Sequence, residues 1–458
     1  MLTDLHKHTT AETGIIRRPI GEIGTDVVPF RAGLQYTAPA RGHWTIAHTP
    51  IIIPGCYIVF LCANACMRGV VMSAMEYGGM DRFSMIMLYD KDIYEGNLEQ
   101  VMIEGISEII DRQPEHPPMV MPFTSCIHHF LAYDSKFIYK TLRERYPDID
   151  FVQSYMIPTI RKGHITPEEM MHLTMYDALV PQKTLEPHSA NIIGSNFAAQ
   201  TDNDYYRLLT EAGWTVRDLP AMTEYQEYKD MAKSSVNLYA YPVAHRSARR
   251  LERRLGQQGI YLPLTCQMDA IQSELTDLAA TLQLDLPDLP ARLSKMREEA
   301  DTAMRKAREV LGDTWIALDH EVLPRYCSLA RLLVEYGFRV KEIYGDVVLP
   351  EEAEDLAWLQ ENAPEIEFCA TVNYAARMAT RDTAERADAS GEKVVAIGQK
   401  AAYFTGTDHF VNWLEFDGYW GYNGIRALAE QMIEAYHHAS DVPAIIQVKG
   451  WGCNGCYH

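Results

Sequence analysis

The chain has 458 residues, of which 42 are Lys or Arg and 62 are Asp or Glu, so its formal net charge is −20. So acidic a chain is poorly suited to bind the phosphate backbone of a nucleic acid, and it contains no apolar run long enough to cross a bilayer. Its nine cysteines follow an amino-terminal segment without a signal-peptide pattern, which favours metal or redox chemistry in the cytosol over a disulfide framework.

The amino-terminal third shows an arm followed by alternating strands and helices. Residues 1–47 have no sustained period and are predicted to form an N-terminal arm, which precedes a first α/β domain at 48–185. The alternation in that domain is typical of parallel βαβ units. Its predicted strands are 51–53, 83–89, 119–123 and 151–156, and its predicted helices begin at Cys56 and span 97–111 and 128–145.

Two cysteines of the first domain each follow a predicted strand and stand near the start of a predicted helix. These are Cys56 and Cys126. A thiol at such a turn lies beside unpaired backbone N–H groups and the positive end of a helix dipole, which favour the metal-binding thiolate. Because parallel strands present their carboxyl ends at one edge of a sheet, we expect both cysteines to face the same iron–sulfur cluster. The alternative is that each is a buried cysteine packed as a small apolar residue.

Two further cysteines, Cys62 and Cys66, lie four residues apart and would share one face of the predicted helix. They are candidate cofactor ligands, although core packing explains them equally well. His128 and His129 follow Cys126, where either could donate a hydrogen bond to a cluster sulfur or simply pack.

The remainder of the chain indicates two more α/β domains joined by helices. A second domain is predicted at 186–266, a helical connector at 267–312 and a third domain at 313–458. The third domain carries a carboxyl-terminal helix predicted at 425–438 and a cysteine-rich tail. In that tail Cys453, Cys456 and His458 have a spacing suited to a metal or a redox pair, with a mobile tail as the alternative.

Several of these segments together resemble the nitrogenase component 1 superfamily. Gly55-Cys56 falls where that family has a His-Gly-x-x-Gly-Cys turn, and Thr124-Ser-Cys126 resembles the Ser-Thr-Thr-Cys turn of its β-type subunit. Trp420-Gly-Tyr-Asn-Gly424 is similar to the Trp-Gly-Tyr-Glu-Gly sequence that opens the family's last large helix. The resemblance implies three Rossmann-like parallel-sheet domains around a central cleft, with a helical connector.

The chain also departs from the family pattern. Ala38-Pro-Ala-Arg-Gly42 stands where the family has a further cluster cysteine in a Cys-x-Pro-x-Gly segment, so that ligand is missing. Cys62 or Cys66 would replace it, or the partner and a non-cysteine ligand would complete a smaller cluster. Tyr241 stands where α-type subunits have a metal-binding cysteine, and His409 matches their histidine only with a two-residue gap. The resemblance therefore implies a β-like subunit.

By this resemblance the chain would relay electrons within an ATP-driven two-component reductase. A homodimeric iron–sulfur ATPase would pass electrons through an interfacial cluster, either P-cluster-like or 4Fe-4S, to a metal site in an α-like partner of an α2β2 heterotetramer. No Walker loop is present, so the chain itself is not expected to hydrolyse ATP. The most specific expectation is reductive C–S cleavage of methylthio-alkanes. The alternatives are a tetrapyrrole-reducing homologue, a non-catalytic scaffold for metal-cofactor assembly, and a metal-free small-molecule binding protein.

Overall fold

Three β-sheets flanked by helices make up the part of the chain that the structure describes. The structure is a computed structural model and describes residues 15–24, 45–64, 66–67, 70–71, 74, 78–157, 167–371 and 393–446. All three sheets are parallel except for one edge strand. The predicted α/β class with several parallel sheets is therefore confirmed. The chain divides into two compact units, one of which holds the first two sheets and the other the third sheet.

The first sheet has the strand order β3-β2-β4-β5, with β6 also paired to β4. Its strands are β2 (Cys56–Cys62), β3 (Phe83–Met87), β4 (Met119–Ser125), β5 (Asp150–Phe151) and β6 (Ser154–Met156). The helices around it are α1 (Thr45–Ile51), α2 (Asp90–Tyr94), α3 (Leu98–Asp111), α4 (Cys126–Phe130), α5 (Ser135–Arg145) and α6 (Pro167–Thr174). Every residue of β2 and β4 is buried, as expected for central strands of a sheet covered on both faces.

The second sheet, in the same unit, has the order β10-β9-β7-β8. Its strands are β7 (Glu186–Ile192), β8 (Thr215–Asp218), β9 (Ser234–Tyr239) and β10 (Gln258–Tyr261). Helices α8 (Tyr225–Asp230) and α9 (His245–Leu255) pack in this unit. Two arginines of α9, Arg250 and Arg254, donate to the carboxylate of Asp177 at 2.7 Å, which ties α9 to the segment that follows α6.

The third sheet has the order β1-β13-β12-β11-β14-β15. Its strands are β1 (Arg17–Pro19), β11 (Trp315–Asp319), β12 (Arg339–Tyr344), β13 (Glu367–Cys369), β14 (Val394–Ile397) and β15 (Phe410–Val411). The helices of this unit are α7 (Asp204–Glu211), α10 (Met268–Thr281), α11 (Leu289–Leu311), α12 (Tyr326–Glu335), α13 (Ala353–Asn362), α14 (Gln399–Thr405), α15 (Tyr422–His437) and α16 (Val442–Ile445). Helices α10 and α11 are the predicted connector.

Part of the predicted N-terminal arm is in fact a strand of the third sheet. Arg17–Pro19 pairs antiparallel with β13. The Arg17 side chain lies 3.3 Å from a carboxylate oxygen of Glu342, which also accepts a hydrogen bond from the Tyr344 hydroxyl at 2.6 Å. A three-residue strand that pairs with β13 and is supported by ion pairs of Arg17 with Glu342 and Glu367 has no hydrophobic period of its own, which is why the sequence did not reveal it.

The structure differs most from the predicted helices and strands at residues 45–62. The predicted strand at 51–53 with a helix from Cys56 is wrong, because α1 ends at Ile51 and Cys56 begins β2. The run from Cys56 to Cys62 is apolar throughout, so periodicity alone cannot distinguish a buried strand from a helix. Its β-branched and aromatic residues suit a strand. Beyond Cys62, residues 64, 66 and 67 are helical.

No helix among the described residues is both long enough and apolar enough to cross a membrane.

The predicted helix at 128–145 is interrupted, because the backbone of Ala132 adopts a positive φ of 49° between α4 and α5.

Candidate functional site

The strand order of the first sheet places the carboxyl ends of β2 and β4 side by side at one edge. From β2 the chain crosses to β3 on one side and then to β4 on the other, so these two strands flank the point where the winding direction changes. Ligands of open α/β sheets bind at such a point, outside the carboxyl ends of the strands. Cys62 ends β2 and Cys126 begins α4 directly after β4. Leu61 pairs with Thr124, so Cys62 is placed beside the residue that precedes Cys126.

A third cysteine belongs to the same edge. Cys66 lies on the helical segment that follows β2 and is exposed. Burial raises the pKa of the Cys66 thiol, and the nearby Cys126 raises it further. Burial also raises the pKa of Cys62 to about 12, with a smaller contribution from Cys66. Cys66 thus lies close enough to Cys62 and to Cys126 to interact electrostatically with each of them, and a metal would have to displace a proton from each thiol that it binds.

Cys56 lies elsewhere. It is the first residue of β2 and pairs with Met119, the first residue of β4. Six residues separate it from Cys62, which at about 3.3 Å per residue places it about 20 Å from the cysteine edge. Cys56 is fully buried, and burial raises its pKa to about 12. The predicted convergence of Cys56 and Cys126 at neighbouring turns is therefore wrong, since they occupy opposite ends of adjacent strands.

Arg82 explains the local structure around Cys56. Its guanidinium donates to the carbonyl oxygens of Ile51, Ile53 and Cys56, at 3.0, 3.1 and 3.4 Å. These bonds satisfy carbonyl groups at the end of α1 and in the turn into β2. Cys56 consequently lies in a buried part of the core whose backbone is held in place by Arg82.

His128 is buried within α4 and neutral near pH 7. Burial lowers its pKa to about 4. Its Nδ1 accepts a hydrogen bond from the backbone N–H of Ser125 at 3.3 Å, so the remaining proton lies on Nε2. Within the part of the chain that the structure describes, that Nε2 has no hydrogen-bond partner. His129, the next residue, is exposed.

Exposed apolar side chains border the cysteine edge on two sides. Met87, which pairs directly with Cys62, is 37% exposed, and Met85 and Tyr89 on the same segment are also exposed. At the end of α4, Phe130 is 69% exposed and Leu131 is exposed beside it. Large apolar residues gathered around one edge mark an interaction surface. We call these five residues the apolar rim.

The donor set suits a multi-iron cluster better than a single ion. Among the described residues, no group of three or more His, Cys, Asp or Glu side chains is arranged to hold one metal ion. In an iron–sulfur cluster each thiolate binds a different iron, so the sulfurs stand farther apart than around a single ion. Three thiols at the open edge of a sheet, one of them exposed, fit part of such a cluster.

The third sheet holds a second polar centre, which sequence reasoning missed. Its switch point lies between β11 and β14, and Asp319-His-Glu321 and Lys400 follow those two strands. The fully buried Lys400 donates to Glu321 at 2.6 Å and to Nε2 of His320 at 3.2 Å. Burial raises the pKa of Asp319 to about 7, although its carboxylate accepts the Ala401 N–H. No local pattern in the sequence indicates that these residues lie together.

The other candidate residues are dispersed. His409 donates from Nδ1 to the carbonyl of Ala435 at 2.7 Å, which fastens β15 to α15. Tyr241 is buried just beyond β9. The segment 38–42 and the tail residues Cys453, Cys456 and His458 lie outside the described residues.

Comparison with known proteins agrees with this architecture. A family model described as nitrogenase component 1 type oxidoreductase matches residues 53–437. A solved structure titled "Nitrogenase Cp1 at pH 6.5" is 15% identical, covers 91% of this chain and 95% of its own, and gives a TM-score of 0.66. Another, titled "Nitrogenase Cp1 at pH 5", is 14% identical over 91% of each chain with a TM-score of 0.59. At these identities the structures show a shared fold. The comparison with curated proteins finds no match.

Proposed function

The chain belongs to the nitrogenase component 1 type oxidoreductases, and on that basis we propose that it is the β-like subunit of an ATP-driven two-component reductase. In this role it relays electrons through an iron–sulfur cluster at the boundary with an α-like subunit, which carries the catalytic metal site. The observation that carries the proposal is the placement of Cys62, Cys66 and Cys126 at the switch point of the first sheet.

The proposed ligands are these three cysteines, and Cys56 is assigned to the core. Three thiols compensate for the missing upstream cysteine, so this chain supplies three ligands without it. When bound, the cluster would supply storage and transfer of single electrons. The chain's own contribution is to hold the thiolates, to cover them with apolar side chains and to keep water away from them.

The apolar rim supports a cluster that is shared between two subunits rather than bound by this chain alone. Met85, Met87 and Tyr89 border Cys62, and Phe130 and Leu131 follow Cys126. A cluster bound by this chain alone would leave these side chains in water beside it. A homologous subunit with the same sheet edge would bury them and bring its own thiolates to the other side, as in an α2β2 heterotetramer. A homodimeric iron–sulfur ATPase is the proposed electron donor.

The proposed substrate class is methylthio-alkanes. Two electrons and two protons would cleave the C–S bond, giving an alkane and methanethiol. The test is to incubate the anaerobically purified complex with the reductase, ATP and a methylthio-alkane, and to measure methanethiol. The proposal predicts methanethiol only when ATP and reductase are both present.

The alternatives make different predictions in the same experiment. A tetrapyrrole-reducing homologue would consume a tetrapyrrole and release no methanethiol. An assembly scaffold would show no steady turnover but would transfer its metal cofactor to an apo-acceptor. Purified protein that contains neither iron nor sulfide would contradict all three functions, namely methylthio-alkane reduction, tetrapyrrole reduction and metal-cofactor assembly.

A further inference from the structure

Three phenylalanine rings of the first sheet pack in the same hydrophobic core cluster as Cys62. Phe60 on β2 pairs with Phe123 on β4, and their rings stack with centroids 4.4 Å apart. Phe83 on β3 contacts Phe60 with centroids 5.5 Å apart. Alternate residues of a strand share a face, so Phe60 lies on the same face as Cys62, two residues nearer the core. We call these three rings the aromatic floor.

We infer that the aromatic floor is the dry base of the cluster site and holds the cluster's reduction potential down. This inference rests on the proposed function. Phe60 and Phe123 are fully buried and Phe83 is nearly so. Their rings offer no conventional hydrogen-bond donor and keep water from approaching from below.

The physical reason is charge. Reduction adds one electron to the cluster without an accompanying proton. The cluster therefore gains one negative charge. Surroundings that cannot solvate that charge make reduction less favourable, whereas a donor aimed at the cluster makes it more favourable. A floor of hydrocarbon rings, extending across three neighbouring strands, therefore favours the oxidised state and makes the reduced cluster a better electron donor.

Core packing is the competing explanation for the same rings. Substitution of a packing residue changes stability, whereas substitution of a residue in the aromatic floor also changes the potential. Phe60→Tyr adds one hydroxyl to the floor, and Phe60→Leu keeps it apolar. Phe151→Tyr is a matched control, because Phe151 is buried in the same sheet. It pairs with Val120 near the amino end of β4 and belongs to a hydrophobic core cluster that does not contain Phe60.

The experiment is a redox titration of the anaerobically purified complex, followed by electron paramagnetic resonance, with thermal unfolding measured for each variant. We expect Phe60→Tyr to shift the reduction equilibrium toward the reduced cluster about tenfold, which is about 59 mV for one electron. Phe60→Leu and Phe151→Tyr should titrate within about threefold of the wild type. Phe123→Tyr replaces Phe60→Tyr if the latter does not fold.

The outcomes separate this inference from the function on which it rests. If the wild-type complex carries a cluster and both tyrosine variants of the floor titrate with it, the aromatic floor has only a packing role and the inference is wrong. An equal shift in Phe151→Tyr would contradict it as well. A wild-type complex without iron would remove both the inference and the proposed function.

Discussion

Replacement of the buried carboxyl Glu352 by glutamine should change how stability depends on pH. Glu352 is fully buried and accepts hydrogen bonds from the N–H groups of Cys327 at 2.6 Å and Leu349 at 3.3 Å. Burial raises its pKa from 4.5 to about 8, and these two bonds offset only part of the effect. The folded state therefore holds the proton more tightly than the unfolded state.

The sign and size of the effect follow from this difference in pKa. A carboxyl group whose pKa is raised by folding contributes its full stabilisation below the pKa that it has in the unfolded state. This stabilisation is lost as the pH rises through the pKa that it has in the folded state. Over the full interval from 4.5 to about 8, the loss is about 5 kcal/mol at about 1.4 kcal/mol per pKa unit. Between pH 6 and pH 8.5 it is about 2 to 3 kcal/mol. Glu352→Gln cannot ionise, although it loses about one hydrogen bond, worth about 1 kcal/mol.

The assay is urea unfolding followed by tryptophan fluorescence at pH 6 and pH 8.5. We expect the stability of Glu352→Gln relative to wild type to rise by about 2 to 3 kcal/mol between the two values. Glu361→Gln, at an exposed position of α13, is the control and should show no such change. A difference between Glu352→Gln and wild type that is the same at both pH values would refute the reasoning.

Three further substitutions test other parts of the structure. Lys400→Met should destabilise the protein by about 3 kcal/mol in urea unfolding, because the partly buried carboxylate of Glu321 loses its ammonium partner. His172→Leu should stabilise it by about 1 to 3 kcal/mol, since neither ring nitrogen of the buried His172 has a hydrogen-bond partner among the described residues. The gain should grow below pH 6.5, because burial lowers the pKa of His172 to about 4 and protonation favours the unfolded state. Phe130→Asp should weaken subunit association about a hundredfold in light scattering, since Phe130 is 69% exposed and burial of a Phe side chain is worth about 2 to 3 kcal/mol.

Each of these predictions has a result that would contradict it. An unchanged urea midpoint in Lys400→Met would show that its ion pair contributes nothing to stability. A destabilised His172→Leu would mean that the imidazole makes a favourable interaction. For Phe130→Asp the control is Val180→Asp, which alters an exposed apolar residue of the same unit. Equal association in the two aspartate variants would remove Phe130 from the interface.

The sequence predicts that Cys56 lies at the carboxyl edge of the first sheet, whereas the structure places Cys62 there. Pro54-Gly55 looked like the end of a short strand, whereas it is the turn that leads into β2. Because β2 is buried on both faces, it has no alternation of apolar and polar residues to reveal its direction or length. Its seven residues with a β-branched and aromatic interior favour a strand, and that composition would have moved the site from Cys56 to Cys62.

The second polar centre could not have been found from the sequence alone. Asp319 is the last residue of β11, and Lys400 lies shortly after β14. Their adjacency is a property of the sheet order, which places β14 beside β11 although 74 residues separate Asp319 from Lys393. Local patterns carry no information on which distant strands become neighbours, so only the structure brings His320, Glu321 and Lys400 together.

The most direct test of the account is electron paramagnetic resonance of the dithionite-reduced complex, combined with iron and sulfide analysis. The wild type should contain iron and sulfide and give a cluster signal. Cys62→Ala and Cys126→Ala should lose or alter that signal, whereas Cys56→Ala should retain it, because its sulfur lies in the core at the far end of β2. A signal that survives in Cys62→Ala and Cys126→Ala but disappears in Cys56→Ala would contradict the assignment of the cluster to the carboxyl edge of the first sheet.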